Sequence, residues 1–427
     1  MKTNKPQKNI LEGWNLLPAG DVFTFVKSYA FSRDNLVNDT HNTDGIGNIH
    51  YGDIHSSFSA PSIDLKKVSV PMVKDASFAP KPEDLLKDGD LIMADASEDY
   101  AGIGVTVSLH GLEDKKVVGG LHTFVLRDTK NKTDKYFRQY IFRNPEIRNE
   151  MQKIANGVSV YGVSKTSVAK LLLPIPSLTE QKRIVSVLET WDEATVHLSN
   201  KLEIKKKLKR ALSQKLLTGD IRLQGFTEEW KIHPLSFYVE YCPRPVEKPT
   251  GKFTAIGIRS HCKGTFRKEN FDPNSIDMDT LYELRENDLV VNITFAWEGA
   301  IAIVGKDGSD GLVSHRFPTY TFKDKVGSPE YFKQFIQSKN FRYQLKIISP
   351  GGAGRNRVLS KKDFVKLKIK IPDYKEQCAI GNILTTADKE IAELETKLAL
   401  LTDQKNYLLN NLITGTIRTP EKLSTHN

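Results

Sequence analysis

The sequence predicts an α+β protein in which two mixed α/β globular domains are separated by two long helices packed as an antiparallel coiled coil, giving a pseudo-two-fold internal repeat. Residues 174–222 return without a gap as residues 370–418, with 18 identities among the 49 positions. Each copy spaces its apolar residues at steps of three and four, the pattern of a coiled coil. The residues before each copy form short strand-like runs. The period is too long for a solenoid, so a whole domain and its connecting helix are repeated.

Composition indicates a globular chain with an anionic partner. The 427 residues are 39% hydrophobic and 27% charged, which suits a soluble protein of two to four domains. The net charge of +10 favours nucleic acid, although many basic proteins bind none. The sequence has neither the pattern of a signal peptide nor an apolar run of about 18 residues, so we expect no membrane contact. Three scattered cysteines predict reduced thiols and a cytoplasmic location.

The first globular domain is predicted over residues 1–170 and the second over residues 226–366. Strand-like apolar runs in these domains are Asp90–Met93, Thr123–Leu126, Asp288–Val291 and Ala300–Val304. The two domains share a few similar residues at corresponding places, such as Trp14 and Trp230, and differ at most other positions. They therefore follow one plan with different surfaces.

The first helical repeat is predicted over residues 171–225, and the second, with a tail, over residues 367–427. Each begins with a proline and a capping residue ahead of a Glu-Gln pair, which is typical of a helix start. Each stops at a Thr-Gly pair, where glycine can adopt the left-handed conformation that ends a helix. At about 1.5 Å per residue, each helix would be a rod of roughly 60 Å.

The apolar seam of each helix is incomplete by itself. Lys405 interrupts the series in the second helix, and Thr195, Lys205 and Lys209 occupy seam positions in the first. Two such helices in one chain can bury their seams against each other. An antiparallel pair would also relate the flanking domains by an approximate two-fold axis.

This order of variable domain, helical repeat, variable domain and helical repeat resembles the specificity subunit of a type I restriction-modification enzyme. The most specific motif at the start of each repeat is Ile-Pro followed by Glu-Gln and Ile, at residues 175–184 and 371–380. The motif at the end is Thr-Gly-x-Ile-Arg, at residues 218–222 and 414–418. The resemblance covers essentially the whole chain.

The resemblance implies a DNA reader without catalytic activity of its own. In that family each globular domain is a target-recognition domain for one half of a split, asymmetric double-stranded DNA site, and the helices hold the domains apart. Two copies of a methyltransferase subunit would pack on the helical repeats, and restriction or translocase subunits would complete the enzyme. S-adenosylmethionine, ATP and Mg²⁺ would belong to those partners, and this chain would bind no cofactor or metal. The residues expected to contact the methyltransferase are Glu180, Gln181, Glu376, Gln377, Leu188 and Leu384.

Two basic features stand just ahead of the helical repeats. The glycine-rich run of residues 351–357 carries Arg355, Asn356 and Arg357, whose guanidinium groups suit phosphate contact or the reading of guanine. A surface loop without a ligand would have the same composition. Lys165 and Lys361, at matched positions in the two copies, either contact phosphate or are solvated.

Three further segments carry groups suited to face DNA. A basic stretch with an aromatic residue contains Lys263 and Arg267, although such loops are often only solvated. His315 and Arg316 follow a glycine turn, where the histidine either faces base edges or is structural. Tyr51 lies at a predicted strand end and is the fifth position of this group.

The chain lacks the motifs of enzymes that act on DNA. Asp373, Glu395 and Lys397 match a loose nuclease pattern, which we reject because Glu395 lies inside the heptad helix and the first copy has serines in place of both acids. The sequence has no phosphate loop ending in Gly-Lys-Ser/Thr and no Asn-Pro-Pro-aromatic tetrad of an amino methyltransferase. The alternative to a DNA reader is a coiled-coil adaptor that binds protein and has no DNA specificity.

Overall fold

The protein is described here by a computed structural model, which covers residues 13–38, 45–58, 60–349 and 358–421. Contacts within the chain divide it into two units. The first unit consists of residues 1–197 and 398–427, and the second of residues 198–397. Each unit therefore contains one globular domain together with half of each long helix.

The described part of the first unit has a five-stranded sheet, a four-stranded sheet and two short two-stranded ladders. Its strands are β1 (Asn15–Pro18), β2 (Thr24–Val26), β3 (Leu36–Val37), β4 (Ile46–Ile49), β5 (Ser62–Asp64), β6 (Met72–Val73), β7 (Leu91–Ala94), β8 (Ala96–Ser97), β9 (Thr106–His110), β10 (Lys116–Gly119), β11 (Thr123–Arg127), β12 (Tyr161–Gly162) and β13 (Leu172–Ile175). Its helices are α1 (Ala19–Val22), α2 (Tyr51–Ser56), α3 (Arg138–Ile141), α4 (Pro145–Lys153), α5 (Lys165–Ala169) and the start of α6 (Leu178–Thr218). The strand orders are β2-β11-β7-β9-β5 and β10-β4-β6-β3, and the ladders pair β1 with β13 and β8 with β12.

The described part of the second unit repeats this plan with a four-stranded sheet, a five-stranded sheet and one two-stranded ladder. Its strands are β14 (Lys231–Pro234), β15 (Val239–Tyr241), β16 (Pro245–Glu247), β17 (Phe253–Ile258), β18 (Thr265–Phe271), β19 (Thr280–Glu283), β20 (Leu289–Val291), β21 (Ile301–Ile303), β22 (Leu312–Val313), β23 (Thr319–Phe322) and β24 (Lys368–Ile371). Its helices are α7 (Pro329–Phe335), α8 (Lys339–Ile347), α9 (Lys361–Val365) and the start of α10 (Tyr374–Thr414). The strand orders are β15-β23-β20-β21 and β16-β19-β22-β17-β18, and the ladder pairs β14 with β24.

The α+β fold class predicted from the sequence is confirmed. All four apolar runs predicted as strands are strands, namely β7, β11, β20 and β21. Three of them, β7, β20 and β21, are buried at every residue, and β11 is buried except for its last residue. Both faces of β7 are apolar because alternate residues enter different cores, Leu91 and Met93 one core and Ile92 and Ala94 another.

The two long helices have the same length and the predicted ends. Each spans 41 residues. At the start of α6 the hydroxyl of Ser177 accepts the Glu180 N–H at 3.3 Å, and at the start of α10 the carboxylate of Asp373 accepts the Glu376 N–H at 2.9 Å. Beyond the last helical residue, a glycine has a positive φ, 80° after α6 and 76° after α10. Both ends therefore follow the capping chemistry predicted from the sequence.

Within each unit, the first half of one long helix lies against the second half of the other. In the first unit Lys405 of α10 forms an ion pair with Asp192 of α6. In the second unit Lys209 of α6 pairs with Asp388 of α10 at 2.5 Å, and Lys205 pairs with Glu390 at 2.7 Å. Partner numbers rise along one helix as they fall along the other, so the predicted antiparallel packing is confirmed.

The lysines that interrupt the predicted seam are therefore not defects in it. Lys205, Lys209 and Lys405 are half-buried, and each places its ammonium group on an acidic residue of the opposite helix. A single polar position in a coiled coil favours one register over others, because a slip would leave the charge unpaired. The polar seam thus specifies how the helices align.

The half-helices are part of the domain cores. Leu188 and Leu412 pack in one core with Trp14, and Leu216 and Leu384 pack in another with Trp230. Because of this shared packing, each globular domain and its half-helices form one compact unit, and the helices do not form a unit of their own. The domain limits predicted from the sequence at residues 170, 225 and 366 stay a prediction.

A buried glutamate joins the start of one long helix to the end of the other in each unit. In the first unit the Glu180 carboxylate accepts hydrogen bonds from Arg418, at 2.5 and 2.8 Å, and from the indole N–H of Trp14, at 3.2 Å. The guanidinium also lies over the indole ring, 6.0 Å from its centroid. We call these three residues the first helix-end clasp.

The second helix-end clasp has the same residue types in the second unit. The Glu376 carboxylate accepts two hydrogen bonds of 2.7 Å from the guanidinium of Arg222 and one of 3.1 Å from the indole N–H of Trp230. Hydrogen bonding to Glu376 raises the pKa of Arg222 above its usual value. The repeated motifs at the helix starts and ends are thus the two sides of one contact.

Replacing Arg418 by alanine should destabilise the first unit, because the Glu180 carboxylate would remain buried without its cation. The expected loss in unfolding free energy is about 3 kcal/mol, the lower end of the range for buried pairs, since the Arg418 side chain is 43% exposed. Calorimetry should show a lower unfolding midpoint for R418A than for R210A, a control at an exposed arginine of α6. Adding Glu180→Gln to R418A should recover part of the loss. Equal midpoints for R418A and R210A would contradict this role.

Candidate nucleic-acid interface

Distant segments of the first domain meet at the carboxyl end of β7. The N–H of Asp95 donates to the carbonyl of His122 at 3.1 Å, and its carbonyl accepts the N–H of Val163 at 2.9 Å. The N–H of Tyr51 donates to the carbonyl of the residue before His122, at 3.1 Å. Lys165 follows Val163 by two residues. These backbone bonds place four chemically active side chains at one corner of the domain.

Tyr51, Asp95, His122 and Lys165 form what we call the first polar cluster. Nδ1 of His122 lies 3.1 Å from a carboxylate oxygen of Asp95, and the ring of Tyr51 meets the His122 ring edge-on with centroids 5.4 Å apart. Burial raises the pKa of Asp95, while His122 and Lys165 act in the opposite direction. The His122 side chain is 52% exposed and Lys165 is exposed. The cluster offers a hydrogen-bonding edge and a cation to solvent.

A rigid support holds Tyr51 in this cluster. The preceding residue, His50, caps α2, since its Nδ1 accepts the Gly52 N–H at 3.1 Å and its own N–H donates to Asp53 at 2.8 Å. Arg33 pairs with the same Asp53 carboxylate at 2.8 Å. Burial and Arg33 lower the pKa of His50, which keeps the ring neutral and able to accept.

The second domain builds the equivalent corner with two of these backbone bonds. After β20, the N–H of Ile293 donates to the carbonyl of Arg316 at 3.0 Å, and its carbonyl accepts the N–H of Leu359 at 2.9 Å. Arg316 therefore stands where His122 stands in the first domain. Lys361 follows Leu359 by two residues, as Lys165 follows Val163.

Tyr241, His315, Arg316 and Lys361 form the second polar cluster. The ammonium group of Lys361 lies 5.2 Å from the centroid of the Tyr241 ring and 3.3 Å from its hydroxyl. His315 and Arg316 are exposed, so His315 is not a buried core histidine. Lys361 is the first residue of α9, just after its capping serine, and Lys165 has the same place in α5. The structure thus places the predicted residues Lys165 and Lys361 at matched positions in the two clusters.

The predicted arginine loop cannot be placed in this cluster. Arg355, Asn356 and Arg357 lie outside the residues that the structure describes. The described chain resumes at Val358, and the next residue, Leu359, is bonded to the cluster through Ile293. A DNA contact by this loop stays a prediction.

Lys263 and Arg267 differ in how far their side chains are bonded within the protein. Lys263 is exposed on a tight turn, whose N–H groups at His261 and Cys262 bond to the segment after β20 at 2.8 Å each. Arg267 pairs with Glu269 at 2.6 Å, which raises its pKa, and donates to the Asp307 carbonyl at 3.0 Å. Arg267 is therefore engaged within the protein, and a DNA role for it stays a prediction.

The six helix residues predicted to contact a methyltransferase are buried inside their own units. Gln181 accepts the N–H of Asp134 at 2.6 Å and donates to the carbonyl of Lys132 at 3.1 Å. Gln377 repeats the pattern by accepting the N–H of Ser328 at 3.0 Å. The other four are the clasp glutamates and two core leucines: Glu180, Glu376, Leu188 and Leu384. The structure gives all six an internal role, and direct contact with a partner stays a prediction.

Other helix residues, which the sequence pattern does not predict as contacts, reach the surface. In the first unit, Val196 of α6 and Leu400 and Tyr407 of α10 are more than half exposed. In the second unit, Ile204 and Leu208, one helical turn apart on α6, are exposed to a similar degree. The signal was present in the sequence as apolar residues outside the heptad seam.

Asp95 and Tyr241 were also missed, although each contacts a predicted residue. Their signal was positional, since Asp95 directly follows a strand and Tyr241 ends one. The sequence does not predict the clasp as a unit, because its tryptophan, glutamate and arginine lie far apart along the chain.

Across the described residues, no group of three or more His, Cys, Asp or Glu side chains is arranged to hold a metal ion. In the same residues, no helix is long and apolar enough to cross a membrane.

The two polar clusters present different side chains at matched backbone positions. Exposed Arg, Lys, His and Tyr side chains donate to phosphate oxygens and base edges, which carry position and sequence information respectively. The first cluster presents a histidine-carboxylate pair where the second presents an arginine. The two clusters therefore offer different hydrogen-bond donors and acceptors to solvent.

Comparison with known proteins agrees with this geometry. A model of the type I restriction modification DNA specificity domain matches residues 11–210 and 272–402. The MjaX specificity subunit of a type I restriction enzyme from Methanocaldococcus jannaschii is 24% identical over 372 residues, covering 79% of this chain and 81% of that protein.

Two solved structures share the fold over nearly the whole length. The HsdS subunit from Thermoanaerobacter tengcongensis has a TM-score of 0.55 and 15% identity, covering 97% of this chain and all of that one. A chain from a study of complex assembly and conformational transition of the type I R-M system has a TM-score of 0.54 and 14% identity, covering 96% and 100%. On the match to the family model, together with the fold, this chain belongs to the type I restriction-modification DNA specificity family.

Proposed function

We propose that each globular domain reads one half of a bipartite, asymmetric DNA site and that the paired helices set the spacer between the halves. The observation that carries this proposal is that matching backbone hydrogen bonds form the two polar clusters, while the side chains that the clusters present differ. Two domains that read the same sequence would give a palindrome, whereas these differ at the His122 and Arg316 positions.

The helix surfaces support a second part of the proposal, the docking of two methyltransferase subunits. Exposed apolar side chains on a helix favour burial against a partner. Such side chains are Val196, Leu400 and Tyr407 in the first unit, and Ile204 and Leu208 in the second. Their presence in both units suits two copies of one partner. Restriction or translocase subunits would join the same complex.

Chemistry is assigned to the partners. We infer that methyl transfer, ATP-driven translocation and cleavage occur on the other subunits, together with S-adenosylmethionine, ATP and Mg²⁺. This chain contributes sequence reading and geometry, through side chains that donate hydrogen bonds and carry positive charge.

Methylation mapping tests the proposal against the coiled-coil adaptor. The chain is co-expressed with its methyltransferase subunit in a host without adenine methylation, and modified adenines are mapped by long-read sequencing. We expect a split, asymmetric motif that disappears when this chain is omitted. Methylation that is unaffected by its omission would favour the adaptor.

Lys165→Ala and Lys361→Ala should each weaken DNA binding at all sequences, because both remove a cation proposed to contact phosphate. Each lost phosphate contact should reduce the slope of log K against log salt by about 0.9. Fluorescence anisotropy over a salt series measures this slope. Lys370→Ala, at an exposed lysine of β24, serves as the matched control and should leave the slope unchanged. Identical slopes for all three variants would rule out both contacts.

Lengthening both helices by one heptad should lengthen the spacer and preserve both half-sites. The insertions belong between His197 and Leu198 and between Lys397 and Leu398, where the two units divide, so that contacts inside each unit are kept. Seven residues add about 10 Å along a helix, equal to roughly three base-pair steps. The mapped methylation motif gives the spacer length.

A heptad inserted in α6 alone is the control for this experiment. It would lengthen one helix of the pair and not the other, so the ion pairs and core contacts of both units could not all be kept, and methylation should fall. A changed half-site with an unchanged spacer in the doubly lengthened protein would contradict the spacer role.

A further inference from the structure

A short hairpin of the first domain ends in apolar side chains that nothing in the unit covers. Residues 156–162, which we call the valine finger, are closed at the base by two backbone bonds between Asn156 and Gly162, at 3.0 and 2.8 Å. Val158 at its tip is 92% exposed and Val160 is 56% exposed. A β-branched side chain this exposed adds no stability to its own domain.

The finger is held in one shape before any partner arrives. Gly157 has a φ of 144°, and a Cβ there would lie 1.9 Å from the carbonyl oxygen of Val160, so the turn admits only glycine. At the base, β12 pairs with β8 through Tyr161 and Gly162. The ring of Tyr161 also packs against that of Tyr100, with centroids 3.9 Å apart. A preformed tip loses little entropy when it binds.

The finger adjoins the first polar cluster. The residue after it, Val163, donates to the Asp95 carbonyl, and Lys165 follows two residues later. At the matching place in the second repeat, 196 residues on, the chain carries the glycine-arginine run of residues 351–357. The finger has no charged residue, so the two repeats differ here in chemistry as they do in their clusters.

We propose that Val158 and Val160 contact bases of the first half-site directly, as an apolar reading element beside the polar one. This inference rests on the proposed function of the domain. Apolar side chains recognise thymine methyl groups or enter between stacked bases, and neither contact involves phosphate. The finger therefore contributes to affinity and base choice without releasing counterions.

The test is the double variant Val158→Ser, Val160→Ser in the full chain assembled with its methyltransferase subunit. Binding to the mapped site should weaken by about tenfold or more, the loss expected when apolar contacts at two valines are removed. The slope of log K against log salt should stay at the wild-type value, in contrast to Lys165→Ala. Val37→Ser, at an exposed valine on the edge strand β3, is the matched control and should bind as wild type does.

The methylation map supplies the second readout. The double variant should relax base preference in one half-site and leave the other half-site unchanged. Unchanged affinity and motif would overturn the inference, as would a loss of affinity accompanied by a smaller salt slope. Loss of the methyltransferase from the complex would instead identify the finger as a protein contact and also overturn it. Absence of salt-dependent, sequence-specific binding by the wild-type complex would refute the proposed function itself.

Discussion

The buried carboxylates of Glu180 and Glu376 are the constraint on which the rest of the structure depends. Each is removed from water and must be matched by donors, which arrive from an arginine at the end of the opposite helix and an indole at the start of a domain. A buried carboxylate without its cation is costly, so the start of one helix, the end of the other and the first strand of a domain are fixed together. Both units use the same solution, which explains why both helix motifs are repeated.

The clasps fix the same architecture in both units, but the side chains exposed at the polar clusters differ between the repeats. The same three backbone positions meet at each cluster, because strands β7 and β20 hold the same place in the strand order of their sheets. What those positions present has changed, from a histidine paired with an aspartate to an exposed arginine. Loops and strand ends can change without loss of a core contact, whereas the clasp cannot. A protein built in this way keeps its architecture while altering what it reads.

The helix seam combines stability with alignment. Leucines such as Leu188 and Leu384 supply buried area at the ends of the helices, inside the domain cores. Toward the middle, Leu198 and Leu202 of α6 stay buried, but the seam positions of α10 there are only half-buried. Lysine-carboxylate pairs flank this part of the seam. Such partly exposed pairs contribute little stability, but a slip of one turn would separate them. A spacer that must keep a defined length benefits more from register than from strength.

The sequence by itself determined the α+β class, the two long helices with their ends and the repeat of 196 residues, because heptad spacing, capping residues and left-handed glycines are local signals. It also pointed to Lys165 and Lys361 at matched positions of the two copies, and to Tyr51, His315 and Arg316 as further candidates for DNA contact. Only the tertiary structure decided that the Glu-Gln motif faces inward, since the partners of Glu180 lie 166 and 238 residues away. The pairing of Asp95 with His122 and the exposure of the valine finger were likewise decided there. Contacts between residues so far apart depend on how strands and helices pack, which no local pattern in the chain specifies.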